Sequence, residues 1–182
     1  MKKMNKIQPD KNAKIHTRNI AVATYDGGDD GIVVEGELRD DRLQTIYRPA
    51  GDKVLPGRVH HMIIRMQVRG PDLTIEDIEV EMPTVPYEEC IETLTSLEPV
   101  KGMKIASGFT NEVKVLVGGA KGCAHLVALL VSMASAAVQG AWTAASRRPG
   151  GQPGYRERAM KAIVDTCRVW RRDGPKLKGL LK

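Results

Sequence analysis

Aromatic side chains are scarce in this 182-residue chain, with one Phe, two Trp and four Tyr. Any core must therefore be built from Val, Ile, Leu, Met and Ala, and little is available for stacking on nucleic-acid bases. Cysteine is also too sparse for a disulfide scaffold: Cys90, Cys123 and Cys167 are widely spaced and odd in number. The stretch Met1 to Lys14 is polar and basic, without the apolar segment of a secretory leader. Both features predict a reducing, cytoplasmic setting. No Walker A sequence, no Gly-x-Ser-x-Gly and no His-Glu-x-x-His is present, so the common signatures of nucleotide, ester and peptide hydrolysis are missing.

Charge is present but unevenly placed. Residues 1–18 carry six Lys/Arg against one acid, and residues 147–182 carry eleven against three. The body between them has eleven against eighteen, so an acidic middle lies between basic ends. With so few aromatics, the basic ends read as solvated surface rather than a nucleic-acid footprint. A protein partner or a homo-oligomer remains open.

Periodicity gives the fold class. Asn19 to Tyr25 and Ile32 to Leu38 are β-rich runs joined by an Asp/Gly turn, and Asp40 to Gly57 reads as a polar loop. Val59 to Val68 and Leu73 to Met82 make a second strand pair across Arg69-Gly70-Pro71-Asp72, and Pro83 and Pro86 end the sheet. Along the third strand His60, Met62, Ile64, Met66 and Val68 share one face, so His60 points inward and His61 outward. Helices are expected over Tyr87 to Glu98, with Cys90, Ile91, Leu94 and Leu97 on one stripe, and over Thr110 to Val117. Gly122 to Ser146 has no charged residue and is long enough to cross a bilayer. Its eight alanines and several hydroxyls make it a buried core helix instead, so no membrane span is expected. An amphipathic basic helix is expected over Tyr155 to Arg172, with Ala159, Ile163, Cys167 and Trp170 as its packing seam and Asp173-Gly174-Pro175 as its stop. The result is α+β: an antiparallel sheet of about four strands covered by C-terminal helices. Residues 1–15 read as a disordered lead-in and 16–146 as one domain. Residues 147–182 read as a linker and a helix packing on that domain.

The chemistry centres on Gly118-Gly119-Ala120-Lys121-Gly122, a turn that delivers Cys123 and His125 to a helix start. Free N–H groups there favour an anion such as a thiolate. Residues two apart on a helix diverge by about 200°, so both can face one ligand only if Cys123 sits in the turn or cap. The inward His60 must satisfy its ring nitrogens by hydrogen bonds or a metal. With Cys90 added, the set His60, Cys90, Cys123 and His125 offers two nitrogens and two sulfurs. That suits tetrahedral zinc first, and an iron–sulfur cluster second. A thiol enzyme is the rival reading, with Cys123 as nucleophile and His125 or His60 as base. A non-catalytic adaptor with purely structural cysteines is a third. His16, with Arg18 close by, could reach an anion but reads as a surface residue.

Taken in order, several segments resemble a bacterial family known as domain of unknown function 2889. They are His16-Thr17-Arg18, His60-His61-Met62, Pro86-Tyr87 with Cys90, Gly108-Phe109, Gly118-Gly119, Gly122-Cys123-Ala124-His125-Leu126, and Cys167 with Asp173-Gly174-Pro175. The resemblance runs from His16 over most of the chain and implies kinship without a reaction. His61 and Ala124 stand where the family carries Asp and Thr. In architecture the chain is also similar to iron–sulfur scaffold proteins of the NifU/IscU type, which implies a sulfur-rich site at the sheet–helix boundary. Here the Cys/His pair is reversed and spaced, and the first cysteine of that pattern is absent.

Overall fold

Alternating apolar and polar residues make four long strands, and their pairing positions everything else. The computed structural model describes residues 7–28, 31–147, 164, 165 and 167–180. Strands β1 (His16–Asp26) and β2 (Gly31–Arg42) form the first hairpin. A small two-stranded ribbon of β3 (Ile46–Tyr47) and β4 (Lys53–Val54) occupies the polar loop, followed by β5 (Gly57–Arg69) and β6 (Thr74–Thr84). The main sheet is antiparallel throughout, in the order β1-β2-β5-β6. Each strand is longer than the expected run. Pro83 lies inside β6 rather than ending it, since an edge strand tolerates a missing N–H.

Register sets the rows of the inner face. Thr24, Val34 and Met66 are aligned, then Val22, Gly36 and Ile64, then Ile20, Leu38 and Met62, and finally Arg18, Asp40 and His60. Apolar residues fill the β2 and β5 positions of the earlier rows, and the last row is ionic. The opposite face is polar, with His61 held by Glu37 at 2.6 Å and Arg65 by Glu35 at 2.8 Å.

Helix α1 (Phe109–Val117) buries Phe109, Val113 and Val117 on one stripe. Helix α2 (Ala124–Ser146) lies across the inner face and buries Leu126, Leu129, Leu130, Met133 and Ala137. Closest approach falls at Gly36, where a Cβ would stand 2.5 Å from Met133 Sδ and 3.0 Å from Leu129 Cδ1. By length and composition α2 would suit a membrane span, but this side of it forms the core with the sheet. Near its far end Thr24 Oγ1 donates to the Ala136 carbonyl at 3.4 Å.

Two expected helices differ. Tyr87 to Glu98 is not one α-helix but 3₁₀ turns over Glu88–Thr93 and Glu98–Val100. Pro86 and Pro99 bracket the segment, no side chain caps its start, and Ile91 is exposed while Leu97 is buried. Most of Tyr155 to Arg172 lies outside the described residues. Within its described part Asp165 is left-handed, Trp170 N–H closes a turn on the Cys167 carbonyl, and Cys167 is exposed rather than packed in a seam. Pro175 opens a short helix, α3 (Pro175–Leu180), instead of stopping one, as its preset φ and missing N–H allow.

Candidate metal centre

Three elements converge at the ionic end of the inner face. On β2, the alternation that buries Ile32, Val34 and Leu38 carries one step further to Asp40, which is only 2% exposed. On β5, the same period places His60 after Met62. The β2–β5 register slips beside this pair, between Asp40 and Asp41, a bulge of the kind that re-aims side chains. The third element is the start of α2. Helix α1 ends at Val117, and a Cβ on Gly118 would press into the Lys114 carbonyl. A single 3₁₀ turn over Gly119–Lys121 then reverses the chain. Cys123 takes the extended N-cap position (φ −109°, ψ 125°), as the sequence required, and His125 follows in the first turn.

The side chains meet around Asp40. Arg18 donates from Nε to Oδ1 (2.7 Å) and from Nη2 to Oδ2 (2.6 Å), a side-on fork. His60 Nδ1 lies 3.1 Å from Oδ2, and His125 Nε2 lies 3.6 Å from the same oxygen. The two imidazoles stack with centroids 3.9 Å apart and planes tilted by 30°. Behind His125, Cys123 Sγ is 3.7 Å from Nδ1. His16 approaches from the rim, its Nε2 3.7 Å from Asp40 Oδ1.

Electrostatics follow from these contacts. The Arg18 fork holds the Asp40 carboxyl below its usual value, against the opposing effect of burial, and His60 adds to the lowering. Arg18 is raised in turn by the same bond. Burial lowers His125, the charges of His60 and Arg18 add to that, and Asp40 offsets part of it. A histidine lowered in this way keeps a neutral ring with a lone pair to give, which is what a metal needs.

Asp40, His60 and His125 each offer one ligand atom, all lying within 4.8 Å of one another. Donors at metal bonds of about 2.0–2.1 Å stand roughly 3.3 Å apart around a tetrahedral ion. The separations of 3.1 and 3.6 Å bracket that value. These three residues could hold a metal ion.

The expected quartet does not meet as four donors. His60 and His125 come together. Cys123 touches the far nitrogen of His125 rather than joining the Asp40 side. Cys90 sits on the 3₁₀ segment, where its carbonyl accepts from Thr93 Oγ1 at 2.7 Å, and it is not in the group. Among the described residues no cluster of cysteines forms, so the basis for an iron–sulfur cluster is gone. The residue missed is Asp40, which the sequence pattern puts at the start of a loop. Extending the β2 alternation by one step would have found it. The thiols failed to gather because residues 88–100 form short turns on the β6 side instead of a helix aimed at the site.

A family model described as "Protein of unknown function (DUF2889)" matches residues 16–139, a span that holds His16, Arg18, Asp40, His60, Cys123 and His125. No curated protein and no solved structure gives a match, so the likeness to iron–sulfur scaffolds gains no support.

Proposed function

The chain belongs to this DUF2889 family, and from that premise we propose that it binds one divalent transition-metal ion, zinc first, through Asp40, His60 and His125. The observation that carries the reading is the convergence of two imidazoles and a buried carboxylate from three separate elements. Two histidines and a carboxylate make a three-donor set of the kind that leaves a position open for water or substrate. The same set serves non-haem iron(II), so iron is the second metal to test. Arg18 takes one lone pair of each Asp40 oxygen, which orients the carboxylate and leaves Oδ2 facing the imidazoles. Asp40 Oδ2 and one ring nitrogen each of His60 and His125 would hold the ion, which would supply a Lewis-acid centre there. The thiols Cys90, Cys123 and Cys167 are free.

A second reading rests on one alignment. Cys123 Sγ, His125 Nδ1, His125 Nε2 and Asp40 Oδ2 follow one another with gaps of 3.7 and 3.6 Å, the order of a thiol, a base and an orienting carboxylate.

One set of measurements separates the two. Protein purified without chelator, and metal-free protein reloaded with zinc or cobalt(II), is analysed for bound metal. Near-stoichiometric metal is expected in the parent and in Cys90→Ser. Affinity is expected to fall roughly tenfold or more in Asp40→Asn and His60→Ala. Trace metal after reloading, or full occupancy in both variants, rejects the metal site. In the metal-free form, iodoacetamide labelling of Cys123 faster than of the exposed Cys167 would favour the thiol reading instead.

A further inference from the structure

The Asp40 group gathers more positive charge than it cancels. Asp40 and Arg18 offset one another through two hydrogen bonds, and the imidazoles of His60 and His125 are neutral when they ligate. A divalent ion added to that set would keep its charge uncompensated, because among the described residues no other carboxylate joins the group. Asp41, on the alternate pleat of β2, is engaged by Arg58 Nε at 2.6 Å. Glu37 sits on the opposite sheet face, bonded to His61 and Arg39. With three protein donors the ion also has at least one open position.

Arg18 is placed to complete the match. Its fork to Asp40 uses Nε and Nη2, the side-on edge of the guanidinium. The end-on edge, formed by Nη1 and Nη2, retains three N–H donors, and Nη1 has no acceptor among the described residues. The side chain is 39% exposed, so the guanidinium lies at the rim of the centre. His16, two residues earlier on the same face of β1 and 49% exposed, adds a second ring donor on that side.

We infer that the open side of the centre takes a small carboxylate ligand, one oxygen on the metal and the carboxylate edge on the end-on N–H groups of Arg18. The inference rests on the metal reading above and names the ligand class of the same site. A planar carboxylate matches a planar guanidinium edge in two parallel hydrogen bonds, and it supplies the negative charge that the protein withholds.

The test uses the full chain loaded with cobalt(II), whose visible absorption reports changes at the ion. Acetate and succinate are titrated, with inorganic phosphate as comparator. A saturable spectral change with succinate is expected, together with a loss of roughly tenfold in succinate affinity in Arg18→Lys, each protein being titrated at a cobalt concentration that saturates its own site. His16→Gln, which removes no proposed ligand, is expected to weaken succinate several-fold. No spectral response from a loaded protein overturns this inference and leaves the metal site standing. Equal succinate affinity in both variants, or tighter binding of phosphate than of either carboxylate, also overturns it. Failure to load cobalt overturns both readings together.

Discussion

Asp40 shows how a single side chain can be legible by rule and still be missed. Its neighbours Asp41 and Arg42 make the stretch look like the start of a polar loop, whereas β2 runs through all three and its buried alternation reaches Asp40. His60 is readable because four apolar residues on the same face, Met62, Ile64, Met66 and Val68, follow it along β5. Single-residue electrostatics also leave a measurable trace elsewhere. Lys101 bridges Asp77 on β6 and Glu98 in the following turn, at 2.8 and 2.7 Å. Its hydrogen bond, helped by the Ile78 N–H, holds the Asp77 carboxyl below 3.8. A lowered carboxyl contributes stability above its ordinary value, and that contribution is lost as pH falls through the lowered one. Urea unfolding followed from about pH 5 to about pH 2.5 should therefore show a shallower loss of stability in Asp77→Asn than in the parent. Equal slopes would mean the bridge adds nothing. The effect will be small, because both partners are solvent-exposed.

Among the elements, strands were easier to read than helices. Hairpin turns and alternation mark strands locally, and all four long ones lie where the pattern put them. The segment from Glu88 to Val100 carries an apolar stripe that fits a helix, yet prolines at both ends hold it to 3₁₀ turns. Long α2 was readable in place and length, but how closely it sits on the sheet was not. That closeness depends on Gly36, whose missing side chain admits Met133. Gly36→Val should cost about 1–3 kcal/mol in chemical denaturation, the usual range for forcing extra atoms into a packed core. Part of the loss should return in a Met133→Ala background, since the clash would then have room to relax. An identical cost in both backgrounds would place the strain elsewhere.

Over the whole molecule, the division of labour is simple: apolar rows build the core, and its last row carries charge. Sequence patterns gave the α+β class and the antiparallel sheet, because both follow from local periodicity. They could not give the meeting of β2, β5 and α2, which depends on register and on the angle at which α2 enters. The three donors therefore sit far apart along the chain and join only once the whole sheet and its covering helix have formed. An ion held there would act as a clasp between them, tying the end of the sheet to the first turn of α2. Binding only the folded chain, zinc at a hundredfold excess over its Kd should add about 2.7 kcal/mol of stability, read as a rise in Tm that His60→Ala abolishes. In the clasped protein, the amide proton of Val127, which donates to the Cys123 carbonyl, should exchange as slowly as those of β5, and only global unfolding would release it.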